Sequence, residues 1–360
     1  MSRARRRDRR VYLSSHPLLF TLLTLTRRAP VLRIGRTVLV QGPQGCLDAL
    51  TRVPLDRTAP GTTGGTARRL DAGGLLFDQQ GAEHRRTRRR LADDLGSAGV
   101  ARLRPVWTGV LTRRLRHLAD GEPVDLVPLA AEIAGATAAA LLRIDVDPLI
   151  LARAAHDAAA AAARDHLPSL PRPGRARAAR LAADRLSALV RGSDQPAGAA
   201  AVLAVAAVNT TAAALPRAAA WCADDDLWAA AADPRRRRVL VDELLRVLAP
   251  SPLLPRVPAG PGLVEGRAVR AGDLLALVIR HAVGAHRAGP DPANPAPRQV
   301  AQLVFGAGPH ACPGARLARA QLSDTLAALA PYRPEVVRAR ADRGTALPAW
   351  KTLVVRAGTR

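Results

Sequence analysis

Phe305-Gly306-Ala307-Gly308-Pro309-His310-Ala311-Cys312-Pro313-Gly314-Ala315-Arg316-Leu317-Ala318-Arg319 is the run on which the reading of this chain turns. Its glycines let the backbone approach a flat or bulky ligand closely. Pro313 suits the first turn of a helix, and Ala318, Leu322, Leu326 and Leu329 mark an apolar stripe beyond it. The run therefore delivers Cys312 to the start of a helix, where free amide donors and the helix dipole favour thiolate over thiol. A nucleophile or a metal ligand needs that state. For Cys312 alone, a buried cysteine in a glycine-rich turn is the commoner arrangement, but it does not account for the whole run.

The surrounding chain has 360 residues, 48% hydrophobic and 23% charged, which excludes disorder, collagen-like repeats and coiled coil. We expect a single domain over residues 1–360, with residues 1–15 as a basic, flexible tail. Cys46, Cys222 and Cys312 are odd in number and widely spaced, so neither a disulfide framework nor a paired zinc site is expected, and the cytoplasm is the default compartment. A net charge of +24 raises nucleic acid as a partner. Lys351 is the only lysine and aromatics make up 2%, so the arginine excess reads as coding bias and no nucleic acid is expected.

Two stretches imitate membrane segments. The basic run Arg3 to Arg10 precedes apolar Leu18 to Leu25, but Pro17 interrupts the approach, Arg27 and Arg28 follow at once, and no cleavage site is visible. An amphipathic helix of a soluble protein is the expectation. Ala197 to Leu215 carries no charge, yet alanine makes it feebly hydrophobic and Asn209, Thr210 and Thr211 sit at its centre. It reads as a core helix, not a membrane span.

Helical patterns dominate from about Gly81 onward, with breaks at Gly61 to Gly65, Gly121 to Pro123, Pro168 to Gly174, Arg191 to Pro196 and Gly289 to Pro297. Strand-like runs at Val31 to Gln41 and Leu263 to Ile279 predict a small sheet beside the helices. The class is mainly α.

The Cys312 run resembles the haem-binding loop of the cytochromes P450, the haem-thiolate monooxygenases: Phe305, Gly308, His310, Cys312 and Gly314 fill every position of that motif. The resemblance is to the soluble bacterial, actinobacterial-like type. It implies the P450 fold, a large helical domain with a small β-sheet part, and haem b (iron protoporphyrin IX) held between a distal central helix and the proximal Cys loop. Cys312 would be the axial ligand, its electron donation favouring O–O cleavage. His310 would meet a propionate, Phe305 would shield the sulfur, and Gly306 would belong to the cofactor loop.

Other segments extend the resemblance. Asp233 and Pro234 look like the cap and first residue of a helix carrying Glu243-Leu244-Leu245-Arg246. An i, i+3 pair is ordinarily a solvated surface pair worth about 0.2 to 0.5 kcal/mol. About seventy residues before Cys312 it resembles the family's Glu-x-x-Arg lock, with Arg298 as third member. Gly81 to Arg89 resembles the His-x-x-x-Arg helix and Leu254-Pro255-Arg256-Val257 the segment beyond Glu-x-x-Arg, so His84, Arg88 and Arg256 are propionate candidates. Buried carboxylates require cationic, preferably forked, donors.

Ala206-Ala207-Val208-Asn209-Thr210-Thr211 departs from the family's Ala-Gly-x-acid-Thr. Thr210 is kept as a catalytic candidate, though a threonine can equally bond back to a helical carbonyl. Asn209 replaces the proton-relaying acid, and an amide orients water without exchanging a proton at accessible cost. The usual proton path is thereby in question. An apolar substrate pocket is expected from Leu76, Phe77, Val205, Val208, Leu253 and Leu254.

The implied activity is hydroxylation, epoxidation or oxidative coupling of a hydrophobic small molecule in specialised metabolism. It would use O2 and electrons from a separate ferredoxin or similar carrier with its reductase, docking at a basic face around Arg316 and Arg319. The alternative is a catalytically degenerate P450-like helper that activates a partner biosynthetic enzyme. Retention of Cys312 counts against that role, while Asn209 and the short chain keep it in play. A cysteine hydrolase with His310 as base lacks an orienting third group.

Overall fold

The computed structural model describes residues 1–65, 76–166 and 174–358. Its principal helices are α1 (Arg3–Ser15), α2 (Pro17–Thr26), α3 (Pro43–Thr51), α4 (Gly81–Leu95), α5 (Ser97–Ala119), α6 (Leu126–Leu142), α7 (Pro148–His166), α8 (Arg175–Leu189), α9 (Ala197–Asp224), α10 (Pro234–Leu248) and α11 (Ala315–Leu329). The expected mainly α class is observed. The expected break at Pro168 to Gly174 lies outside the described residues except for Gly174.

Helix starts far earlier than Gly81, and residues 1–15 are not a flexible tail. Ser2 caps α1 by accepting from the Arg5 amide, and Asp8 is buried against α9, accepting from Arg217 and from Arg280 at 2.7 Å each. Burial raises the Asp8 carboxyl, but the two guanidinium groups outweigh it and hold the carboxyl below its ordinary range. Charge density misled the sequence reading because the one acid in that segment is the anchor. Tyr12 lies under the Arg280 guanidinium, 4.5 Å from ring centroid to Cζ.

The central helix α9 spans 28 residues and is apolar enough by length and composition to cross a membrane. Over half of its apolar window, 56%, is buried inside the fold. It packs chiefly on α6 and α7, as a core helix does.

Three sheets flank the helices. The largest orders its strands β1-β2-β8-β5-β3, where β1 is Val31–Ile34, β2 Thr37–Val40, β3 Leu55–Asp56, β5 Leu254–Pro258 and β8 Leu274–Leu277. Strands β6 (Gly262–Val264) and β7 (Arg267–Val269) form a hairpin. These agree with the two strand-like runs expected. A third sheet joins β4 (Val124–Asp125), β10 (Trp350–Arg356) and β9 (Glu335–Ala341). Sequence reading missed it because β9 alternates arginine with small residues and shows little apolar signal.

Candidate functional site

The Cys312 loop leaves a single-turn helix at Leu303–Phe305 and passes through Gly306 and Gly308, both left-handed at φ 74° and 69°. A side chain at either would strain the backbone, and a Cβ at Gly308 would also stand 3.2 Å from the Leu50 carbonyl. The Cys312 amide donates to the Phe305 carbonyl at 2.7 Å, closing the loop. Gly314 then caps α11, whose Leu322, Leu326 and Leu329 are buried as the stripe required.

Cys312 keeps one side open to solvent, yet the atoms crowded round its sulfur push the thiol up. The Gly314 amide, Arg88 and Arg319 pull it down without prevailing. Burial thus opposes the helix start and the two arginines at this sulfur. Cys46 and Cys222 are buried with thiols pushed further up and offer no such site.

Beside the loop, five basic groups converge. His84 and His310 stack with ring centroids 3.9 Å apart, and Arg88 Nη1 donates to the Ala311 carbonyl at 2.5 Å. Burial lowers His310 to about 3, helped by Arg57, His84, Arg256 and Arg88. Burial likewise lowers Arg256 to about 10, with Arg57 adding repulsion. His84 Nε2 and Arg256 Nε are buried with no hydrogen-bond partner among the described residues. Such a cluster calls for anionic acceptors, and two carboxylates of a flat ligand fit the unspent donors. The structure thus brings His84, Arg88, Arg256 and His310 together as expected and adds Arg57. Nothing in the sequence marks Arg57 in a chain with 54 basic residues.

The Glu243 and Arg246 side chains are buried and bonded through both forks, at 2.9 and 2.7 Å. Asp233 caps α10 by accepting from the Arg235 and Arg236 amides, as expected. The third member differs: Arg298 is exposed, and Glu243 instead accepts from the backbone amides of Asp291 and Ala296, at 3.1 and 3.0 Å. Arg246 completes the lock on the carbonyls of Val283 and Gly289. A proline-rich segment presents its few free amides at fixed positions, and here those replace a guanidinium.

On α9, Thr210 donates back to the Ala206 carbonyl at 2.9 Å. Asn209 donates from Nδ2 to the Val205 carbonyl and to Ala155 on α7, at 2.9 and 3.2 Å. Thr211 donates to Gln321, which donates to Thr137, joining α9, α11 and α6 by a buried polar chain that the sequence reading missed.

The cavities formed by the described residues divide the six expected pocket residues. Val208 and Asn209 line a cavity of 590 Å³ between α6, α7 and α9. Leu76 and Phe77 line another, of 340 Å³, with Ala199, Val202 and Leu203 against α4. Val205 packs in the α6, α7 and α9 core, Leu253 packs beside Phe20 and Leu23, and Leu254 pairs in β5 with Leu277. At 100° per residue, neighbouring positions on α9 face different elements. Arg319 is likewise taken up internally, by Asp242 at 2.6 Å and over the Phe305 ring, leaving Arg316 as the exposed member of the pair expected at the proximal face.

No protein-family model and no curated protein matches the chain. Among solved structures it is similar to a P450 EryK mutant in complex with erythromycin B, at 22% identity and TM-score 0.76, covering 97% of this chain and 98% of that one. It is similar to CYP164A2 of Mycobacterium smegmatis, at 22% identity and TM-score 0.76 over 96% and 97%. It is also similar to epothilone B-bound cytochrome P450epoK, at 17% and 0.76 over 97% and 98%. Likeness at this identity, running nearly end to end with a cysteine loop under a central helix, establishes that the chain has the cytochrome P450 fold.

Proposed function

We propose that the chain is a haem-thiolate monooxygenase that oxidises an apolar small molecule, with electrons delivered by a separate ferredoxin-type carrier. The observation that carries this reading is the conjunction of Cys312 just ahead of α11 with a partly buried cluster of five basic groups. Haem b, when bound, supplies the oxidising chemistry at its iron. The residues of this chain do the rest. Cys312 would hold the iron as a thiolate, and the Gly314 amide with Arg88 and Arg319 would steady that charge. Arg57, Arg88 and Arg256, with the His84 and His310 pair, bind the two propionates. The Glu243 and Arg246 lock fixes the segment leading to the loop.

Thr210 spends its proton on the Ala206 carbonyl and keeps its oxygen lone pairs free, while Asn209 spends its amide hydrogens on two carbonyls. Neither is a relay acid. A proton for the reaction therefore comes from an ordered water or from the substrate itself. The mainly apolar lining of the larger cavity suits a hydrophobic substrate, and the erythromycin B and epothilone B bound to two similar structures support a large apolar metabolite. Retention of Cys312 and of the basic cluster weighs against the non-catalytic helper. The upward-shifted thiol weighs against a cysteine hydrolase.

The test is a purified haem-loaded preparation titrated with a panel of apolar metabolites for a spin shift, then supplied with a surrogate ferredoxin, its reductase and NADPH. A metabolite that shifts the spectrum and is recovered oxygenated supports the reading. A preparation that binds haem, shifts with ligands and never forms product moves the assignment to the helper.

A further inference from the structure

Helix α2, Pro-Leu-Leu-Phe-Thr-Leu-Leu-Thr-Leu-Thr, carries no charged residue on any side. A helix apolar all round is ordinarily buried all round. Here only one side is: Phe20 and Leu23 pack with Tyr12, Leu39 and Val278. The other side holds Leu18, Leu22 and Leu25, at i, i+4 and i+7, exposed by 86%, 50% and 75%. In the hairpin that follows, Ile34 is exposed by 51%. Thr24 and Thr26 turn their hydroxyls back onto helix carbonyls, and Thr21 is exposed among the leucines.

Residues 1–47 contain ten arginines and a single acid, Asp8, which is buried and spent on Arg217 and Arg280. Arg3 and Arg7 pair with Asp224 and Arg33 with Asp273, from other parts of the chain. Arg27 and Arg28 stand exposed at the end of α2. His286 is lowered to about 4 by burial and then by Arg287, Arg27, Arg280 and Arg5, which places these cations in one neighbourhood.

We propose that the α2 face docks on an anionic lipid bilayer, with Leu18, Leu22 and Leu25 in the acyl boundary and Arg27 and Arg28 at the headgroups. Leucines alone would suit any apolar cover, but the adjacent exposed Arg27 and Arg28 at the end of the leucine face select a surface of the opposite sign. Arginine stems also bury along the boundary while their heads stay in water. A helix lying in the interface plane requires an apolar face, a polar border and no membrane span, which is what α2 presents. The inference is independent of the proposed oxidation. It gives the protein a way to meet hydrophobic substrates where they accumulate.

The test is co-sedimentation of the haem-loaded full chain with vesicles of phosphatidylcholine, pure or mixed with phosphatidylglycerol. The mixed vesicles should retain the protein and the pure ones should not. The triple variant Leu18→Ser, Leu22→Ser, Leu25→Ser keeps every charge and touches only exposed positions, and it should bind the mixed vesicles on the order of tenfold less tightly or worse. Leu181→Ser with Leu263→Ser, exposed elsewhere, should change nothing. Arg27→Gln with Arg28→Gln should weaken binding and flatten its salt dependence. In an otherwise unaltered chain, Leu22→Trp should shift its emission to the blue on mixed vesicles. Binding by the triple variant equal to that of the parent would show charge alone at work and overturn the proposal. So would a parent that binds neither vesicle, or one that is a dimer split by the triple variant, since the occupant would then be a second copy.

Discussion

Glu243→Ala removes one half of a buried ion pair whose side chains are 2% and 4% exposed. Three losses follow from the geometry. Arg246 is left as an uncompensated buried cation, which costs about 3 to 5 kcal/mol. The amides of Asp291 and Ala296 lose their acceptor, at about 1 kcal/mol each where water does not reach them. The sum is comparable with the ~5 to 15 kcal/mol that separates folded from unfolded chains, so little holoprotein should survive expression. Glu243→Gln keeps the shape and part of the bonding and is the measurable variant. Its urea midpoint should fall while the slope of the transition holds. The pH dependence has a definite sign. Burial raises the Glu243 carboxyl, but Arg246 and the two amides bring it below its ordinary 4.5. Its stabilisation is therefore complete above that value and fades as pH falls through the lower folded value. Glu243→Gln should lack this acid limb. A Glu243→Ala protein that folds within about 1 kcal/mol of the parent would refute the reasoning, because the pair would then be an ordinary solvated one.

Arg256→Met should stabilise the haem-free chain by about 1 to 3 kcal/mol, since burial and Arg57 depress that guanidinium to about 10; the same change should weaken haem retention, and chemical denaturation of both forms reads the two effects. The haem-free chain should lose stability as pH falls from 6.5 toward 3, because unfolded His310 takes up the proton that the folded ring refuses. Burial holds His281 and His286 down as well, to about 3 and about 4, so His310→Phe should make that limb shallower without removing it. Asn209→Asp should not simply restore a relay: an ionised carboxylate would face the carbonyls of Ala155 and Val205 in place of two donated hydrogens, so a destabilisation of about 1 to 3 kcal/mol that grows with pH is expected in melting curves. Thr210→Val should leave melting nearly unchanged and raise peroxide release during turnover; unchanged release would place oxygen handling away from α9.

The Cys312 loop was legible because several independent requirements coincide within fifteen residues, two left-handed glycines among them. Asp233 was legible because a cap is local, whereas Glu243 and Arg246 were legible only through the family resemblance, since an i, i+3 pair by itself reads as a solvated one. Arg57 and the amides that replace Arg298 were not. One arginine among many carries no positional signal, and backbone donors have no side-chain signature at all. The N-terminal helix was expected but its anchoring was not, because six arginines drew attention from Asp8, whose partners lie more than two hundred residues away. Long-range pairing of that kind is invisible to periodicity. The dispersal of the expected pocket has a similar origin: Leu76, Val205 and Leu254 are apolar neighbours of a motif, and which way each points depends on packing.

Cysteine ligation of haem iron is the claim on which the account rests, and the reduced carbon monoxide spectrum of the purified holoprotein tests it most directly. The account predicts the strongly red-shifted band of thiolate ligation in the parent and its loss in Cys312→Ser, with haem still retained by the basic cluster. A parent spectrum without that band, or a Cys312→Ser protein that keeps it, would contradict the account.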